Sequence, residues 1–154
     1  MLHHLDKKLI RAIHLYQAHR TGRGPVSQLL CAWGKLAHMI WSVISSSEVH
    51  RDAKIAEGTQ FPHLNGVVVH QGAEIAPRCM IMQQVTLGQT GTSGAPKVGE
   101  GVYIGAGARV LGDISIGDNA RIGANAVVLK DVPANATAVG VPAVWKLRER
   151  SESN

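Results

Sequence analysis

An aliphatic side chain recurs every six residues between residues 98 and 132, and this period constrains the fold more than any other feature. The aliphatic positions are Val98, Ile104, Val110, Ile116, Ile122 and Val128, and the apolar residues two positions before the last five of them are Val102, Ala108, Ile114, Ala120 and Ala126. A period of six fits neither a helix nor a two-faced strand. It indicates a prism-shaped coil of three short strands joined by tight turns, about 18 residues per circuit, with the periodic residue pointing inward. Gly, Asn or Asp at the corners tolerates the positive φ that a sharp corner requires.

The same period continues towards the N-terminus. The earlier inward positions are Leu87, Ile81, Ile75, Val69, Phe61, Ile55 and Val49, with Val85, Cys79 and Ala73 in the second apolar set. Two intervals are too long, from Phe61 to Val69 and from Leu87 to Val98. Because each coil of a solenoid stacks only on its neighbours, extra residues must leave as loops, which are the usual binding sites. We therefore expect the functional site to lie around His63 and around residues 88–97.

The composition limits the number of domains and the kinds of partner that this chain can have. The chain of 154 residues is one domain's worth, and its aromatic content of 4% suits a narrow prism. The net charge of +5 fits an ordinary solvated surface or attraction to a phosphorylated ligand. Nucleic acid is not an expected partner, because no basic stripe with interleaved aromatics is present. Two cysteines in different elements, Cys31 and Cys79, predict free thiols, and with no signal peptide or long apolar span we predict a cytoplasmic protein.

The pattern divides the chain into three parts. Residues 1–47 are predicted to be a helical segment, with helices over 1–21 and 26–44 that pack on each other or on another subunit; contact with a membrane surface is the lesser alternative. Residues 48–145 form the β-helix domain, in which the prism ends near Val132 and the Pro- and Gly-rich remainder closes it. The charged tail, 146–154, is expected to fray or to form a short helix.

Several repeats resemble a known family. VTLGQTG, IGAGARVLGDISIG, IGANAVVLKDVP and AVGVPA are similar to repeats of the hexapeptide acyltransferases, and most similar to the serine acetyltransferase branch, over about residues 45–145. The resemblance implies an all-β solenoid, a left-handed parallel β-helix, that forms a homotrimer and possibly a dimer of trimers. It also implies acetyl-CoA, bound in the groove between neighbouring prisms, as acyl donor, and no metal.

The resemblance also assigns a catalytic pair, His63 as general base and Glu48 as the carboxylate that orients it. The chemistry requires such a base, because an alcohol must lose its proton as it attacks a thioester, and a neutral imidazole can accept that proton. A carboxylate on the other ring nitrogen would fix the tautomer and stabilise the imidazolium. Glu48 stands where the family usually has Asp. His70 and His50 are the competing histidines.

The expected acetyl-CoA contacts follow the same resemblance. The family's GGTG turn reads GQTG here, so the Gln89 N–H, flanked by Gly88, is the candidate donor to the oxyanion of the tetrahedral intermediate. Backbone groups at Ala106 and Ala124 are expected to hold the cofactor arm. Thr90, Lys97 and Lys146 are weaker candidates for its other contacts.

The sequence departs from true serine acetyltransferases at the acceptor side. Pro62 replaces the Asp that precedes the base, and the loop GQTGTSGAPK lacks the Arg-His pair that grips the carboxylate of serine. Because each unpaired buried charge of a zwitterion is costly, we predict an O-acetyltransferase acting on a sugar or polysaccharide precursor. Serine O-acetylation is the alternative, and a non-catalytic trimeric scaffold is a second one. A zinc enzyme using His50, His63 and His70 is not favoured, because their spacing does not match a ligand set.

Overall fold

The computed structural model describes residues 4–91 and 94–148. Two helices come first, α1 (Leu5–His19) and α2 (Pro25–Ser45). The strands follow: β1 (Glu48–Val49), β2 (Lys54–Ile55), β3 (Val68–Val69), β4 (Glu74–Ile75), β5 (Met80–Ile81), β6 (Thr86–Gly88), β7 (Lys97–Val98), β8 (Tyr103–Ile104), β9 (Arg109–Leu111), β10 (Ser115–Ile116), β11 (Arg121–Ile122), β12 (Val127–Val128), β13 (Ala136–Gly140) and β14 (Ala143–Leu147). Neither helix is long and apolar enough to cross a membrane.

The short strands stack in parallel into the three sides of a left-handed prism, as predicted. Sheet 1 has the order β1-β3-β6-β9-β12, sheet 2 the order β10-β7-β4-β2, and sheet 3 the order β14-β13-β11-β8-β5. The chain visits sheet 1, sheet 2 and sheet 3 in turn, so each circuit adds one layer to each side, as a strand or, at Gln60 and Val132, as a single bridge. Among the strand pairs of residues 4–91 and 94–148, only the last, β13 with β14, is antiparallel.

Every inward position predicted from the period is buried. The exposed fraction is at most 8% along the whole series, with Ile114 the highest value. The corners also follow the expectation, since Asn119 and Asn125 both adopt a φ of 56°. Each residue that the period of six marks as inward is therefore part of the core.

The C-terminal end of the prism differs from the prediction. The prism does not end near Val132, because β13 still pairs in parallel with β11 on sheet 3. The chain then turns at Gly140, where φ is 103°, and β14 returns antiparallel along β13. Lys146 and Leu147 belong to β14, so the predicted tail begins as strand rather than as a fraying end or helix. Residues 149–154 lie outside the described part.

The helices cover the first coil of the prism. The His14 side chain donates from Nε2 to the Ile55 carbonyl at 2.7 Å, and the Gln17 amide donates to the carbonyls of Arg51 and Ala53 at 2.9 Å each. Helix α2 packs on α1 through Gly34, where a Cβ would lie 2.8 Å from the backbone nitrogen of Tyr16. The helical segment is thereby fixed beside the loop that carries His63.

Candidate functional site

Two edges of the prism flank sheet 1, and most of the predicted site residues lie on one edge or the other. The His63 edge, between sheets 3 and 1, contains the turns 62–67, 82–85, 105–108 and 123–126. The loop edge, between sheets 1 and 2, contains the turns 50–53, 70–73 and 112–114 and the described parts, 89–91 and 94–96, of the segment between β6 and β7. Since each side of the prism is about six residues long, roughly 20 Å if extended, side chains on the two edges of one chain do not meet.

The first long interval forms a loop on the His63 edge. The Gly66 N–H donates to the Ser46 carbonyl at 2.8 Å, and the Gln84 N–H donates to the Asn65 carbonyl at 3.0 Å. These bonds hold the loop between the end of α2 and the next coil. The His63 side chain is exposed, and neither ring nitrogen makes a hydrogen bond or ion pair with another described residue. Its ring is therefore available to a substrate.

The competing histidines use a ring nitrogen to hold their own turns. His50 Nδ1 accepts the Asp52 N–H at 3.1 Å, and His70 Nδ1 accepts the Gly72 N–H at 3.1 Å. His38 Nε2–H donates to the Val49 carbonyl at 2.8 Å. When Nδ1 accepts a backbone N–H, the proton of the neutral ring lies on Nε2, which then has no lone pair to take a proton from a substrate. This difference favours His63 among the histidines near the site.

His63 lies in an open cleft of about 590 Å³ where the loop meets both helices. Its lining includes Asp6 of α1, Ser45 and Ser46 at the end of α2, and Asn65 of the loop itself. We call this the His63 cleft. Asp6 was not expected there, because nothing local in the sequence shows that the first turn of α1 lies beside residue 63. The proximity arises only from the packing of α1 on the first coil.

Glu48 lies in a different cleft from His63. Glu48 is the outward residue of β1 and lines a cleft with His38, His50 and His70. Within the described residues its carboxylate makes no hydrogen bond or ion pair, and none joins it to His63. The two residues do lie near the same edge on adjacent coils, because the His63 loop bonds to Ser46, two residues before Glu48. The orienting role of Glu48 stays a prediction.

The His63 edge presents unpaired backbone groups at the two predicted alanines. Ala106 is half-buried and Ala124 is exposed, and neither N–H donates to a described residue. The Ala106 carbonyl accepts the Asn125 N–H at 2.8 Å, whereas the Ala124 carbonyl has no backbone partner in the described chain. One coil earlier, the Gln83 side-chain oxygen is buried and has no hydrogen-bond partner among the described residues. This row of free donors and acceptors suits a ligand with amide and hydroxyl groups.

The predicted oxyanion donor lies on the loop edge. Gln89 follows β6, its side chain donates to the Gly91 carbonyl at 3.1 Å, and its own N–H makes no backbone bond within the described chain. Gly88 is half-buried against Leu111, and Thr90 is exposed. The N–H of Gln89 can therefore serve as a donor, although not to a substrate held by His63 of the same chain.

Lys97 lies on sheet 2, away from both groups of residues. It stands next to Glu74, which pairs with Lys54 Nζ at 2.8 Å. The hydrogen bond and charge of Lys54, with a smaller contribution from Lys97, hold the pKa of Glu74 below its usual value. The structure thus places Lys97 in a surface row of alternating charges. Across the described residues, no three His, Cys, Asp or Glu side chains are grouped closely enough to hold a metal ion.

Known proteins share both the repeats and the architecture of this chain. Residues 95–130 match the model of the bacterial transferase hexapeptide, six repeats. The chain belongs to this hexapeptide transferase family. Its relatives place it on the serine acetyltransferase-like branch: the serine acetyltransferase of Escherichia coli K12 is 43% identical over 137 residues, an alignment that covers 87% of this chain and 50% of the relative.

Solved structures show the same similarity. A serine acetyltransferase in complex with CoA is 39% identical, with a TM-score of 0.78, and the match covers 94% of this chain and 58% of that one. A soybean serine acetyltransferase complexed with serine is 38% identical, with a TM-score of 0.75, and the match covers 94% of this chain and 58% of that one. The chain spans about half the length of the curated relatives it matches.

Proposed function

We propose that this protein is an O-acetyltransferase that uses acetyl-CoA, with L-serine as its acceptor. The observation that carries the proposal is a histidine with an unengaged ring on the same edge of a hexapeptide prism as a row of free backbone groups at Ala106 and Ala124. Relatives named serine acetyltransferase, one of them solved with CoA and another with serine, support the donor and the acceptor. They favour the serine alternative over the sugar acceptor predicted from the sequence.

The proposed reaction begins with His63 as general base. Its neutral imidazole takes the proton of the acceptor hydroxyl while the oxygen attacks the thioester carbonyl carbon. The carbonyl oxygen becomes negatively charged and accepts a hydrogen bond from the Gln89 N–H. When the tetrahedral intermediate collapses, the carbon–sulfur bond breaks, the imidazolium returns its proton to the CoA sulfur, and the acetyl ester leaves.

This chemistry needs two copies of the chain, because His63 and Gln89 lie on opposite edges of sheet 1. If the loop edge of one copy faces the His63 edge of a second, the groove between them contains the base, the oxyanion donor and the free N–H groups at Ala106 and Ala124. Acetyl-CoA in that groove would contact both copies. We infer an oligomeric enzyme because His63 and Gln89 lie on different edges of one chain.

Asp6 supplies a carboxylate that could pair with the ammonium group of serine. A zwitterionic serine needs an anion for its ammonium, and Asp6 lies in the His63 cleft. A charge-assisted hydrogen bond of this kind contributes about 1.5–3 kcal/mol. Asp6 is therefore a candidate to take the position left open by Pro62.

One observation favours a second candidate acceptor, a neutral polyhydroxylated molecule such as a sugar. The described lining of the His63 cleft contains no Lys or Arg to pair with the serine carboxylate, and Lys97 lies with Glu74 on sheet 2. A sugar has no such requirement, and its hydroxyls could bond to the unpaired oxygen of Gln83.

An acceptor assay with acetyl-CoA and a free-thiol readout separates these candidates. We expect L-serine to be acetylated and Asp6→Asn to raise its KM at least tenfold, whereas Glu57→Gln, an exposed carboxylate on another corner, has no effect. Turnover of a hexose with no turnover of serine, unaffected by Asp6→Asn, would select the second candidate. Binding of acetyl-CoA without turnover of any acceptor would indicate the non-catalytic scaffold.

A further inference from the structure

His4 is a side chain of the His63 cleft that the proposed reaction has not used. It immediately precedes α1, and its carbonyl accepts the Lys8 N–H, the first backbone bond of the helix, at 3.2 Å. His4 lines the cleft together with Asp6 and His63 itself. The other described residues of the lining have neutral side chains. Besides the proposed base, the cleft therefore contains one acidic and one basic side chain.

The backbone of His4 has a conformation that the fold does not explain. Its φ of 73° and ψ of 33° lie in the left-handed region, which residues other than glycine rarely adopt. Among the described residues, the non-glycine positions with positive φ that form prism corners are Arg78, Gln84, Asn119, Asn125 and Asn135. Ser46 ends α2, where this conformation is common. His4 is neither a corner nor a helix end of that kind, and its side chain does not cap α1. Strained residues of this type cluster at binding sites.

The left-handed conformation also bears on the direction of the two charged side chains. Within a helix, residues two positions apart do not face each other. Because His4 lies just outside α1 and has a positive φ, this restriction does not apply to His4 and Asp6, and both line the same cleft. The start of α1 thus presents an acid and a base to the space beside His63.

We propose that His4 binds the carboxylate of L-serine while Asp6 binds its ammonium group, so that the serine hydroxyl lies at His63. His4 has this role only if L-serine is the acceptor, as proposed above. An imidazole N–H donates to a carboxylate, and the bond is stronger when the ring is protonated. Each polar group of serine then has a partner in one cleft, and the cation that the loop after β6 does not provide comes from the start of α1.

This role makes His4 a determinant of acceptor specificity. L-serinamide has the hydroxyl and the amine of L-serine but no carboxylate, so it gains nothing from His4. Loss of a charge-assisted hydrogen bond lowers affinity by about ten- to a hundredfold. The loss should fall on KM rather than on kcat, because the carboxylate is held equally in the ground state and in the transition state.

One substitution and two acceptors test the proposal on the full chain. His4→Gly removes the imidazole and keeps the turn, because glycine adopts a φ of 73° without strain. With acetyl-CoA and a free-thiol readout, we expect the KM for L-serine to rise about ten- to a hundredfold and kcat to stay within about threefold. The KM for L-serinamide should not change. Lys7→Ala is the matched control, since it removes an exposed cation of the same turn that does not line the cleft, and it should alter neither KM.

The other outcomes separate this proposal from the proposed function. If the unsubstituted protein acetylates L-serine and His4→Gly keeps the same preference for L-serine over L-serinamide, His4 does not bind the carboxylate, and L-serine remains the acceptor. An equal loss of activity with both acceptors would assign His4 to the shape of the cleft and would also overturn its role in recognition. If the unsubstituted protein acetylates no L-serine, the proposed acceptor and the role of His4 both fail.

Discussion

At the scale of single residues, what separates His63 from its competitors is the use of their ring nitrogens. His50 and His70 each accept a backbone N–H two residues ahead, whereas His63 has no such bond within the described chain. The long interval in the sequence pointed to the neighbourhood of His63, and the family resemblance implied its role as base. Neither could show what His50 and His70 do in their turns. Hydrogen bonding inside a turn depends on the rotamer, which the sequence pattern does not specify.

The first prediction concerns this base. His63→Ala should lower kcat by about two to four orders of magnitude with little change in acetyl-CoA affinity, because a positioned general base contributes on that scale. Steady-state kinetics and CoA titration calorimetry measure the two quantities. His70→Ala is the matched control and should retain most activity. Activity of His63→Ala within tenfold of the unsubstituted protein would remove the assignment.

Glu48 receives a separate prediction, because no hydrogen bond joins it to His63. If its charge stabilises the imidazolium during the reaction, Glu48→Gln should lower kcat by about tenfold, the effect of a loss near 1.4 kcal/mol. The side chain is exposed, so we expect no change in the thermal unfolding midpoint. Full activity of Glu48→Gln at all pH values would leave Glu48 without a catalytic role.

At the scale of elements, the six-residue period predicted the prism because one physical requirement, an inward aliphatic on each short strand, repeats along it. The predicted end of the prism was too early, because the next inward residues, Val132 and Ala138, follow Val128 at intervals of four and six, so the strict period is lost although both are buried. The antiparallel return of β14 has no period at all. The helices were predicted from their apolar residues, yet which face of α2 remains uncovered depends on how α1 and the first coil pack.

The assignment of inward and corner positions can be tested by placing the same charged residue at one of each. Ile116→Asp should unfold the prism, because Ile116 is 1% exposed and a lone buried carboxylate costs several kcal/mol. Asn119→Asp, three residues later at an exposed corner with a φ of 56°, should be tolerated. Thermal unfolding followed by circular dichroism compares the two. Similar midpoints for both variants would contradict the inward assignment.

At the scale of the whole molecule, the proposed site is complete only where two copies meet. His63→Ala damages one half of it, and Gln89→Pro damages the other half, because proline has no N–H to donate. Each variant should be nearly inactive by itself. When the two are unfolded and refolded together in equal amounts, about one quarter of the grooves should combine an intact His63 with an intact Gln89, since subunits assort at random around a symmetric interface.

We expect roughly one quarter of the activity of the unsubstituted protein refolded in the same way, and almost none from each variant refolded alone. A mixture that stays as inactive as its components, although gel filtration shows mixed oligomers, would place the entire site within one chain and contradict the composite groove.

The parallel stacking of the three sheets has a consequence for how such a chain can grow. Each circuit returns the backbone to the same side one layer further on. An insertion of one full circuit therefore shifts all later residues by one layer along the prism axis. Duplicating residues 105–122 should therefore add a layer and leave every later residue on its own side. Inserting only 105–110 would rotate all later residues to the next side and separate Ala124 from the edge that carries His63. The circuit, rather than the six-residue repeat, is thus the unit by which this architecture can lengthen, and a solution-scattering profile elongated by one layer of about 4.8 Å would show it.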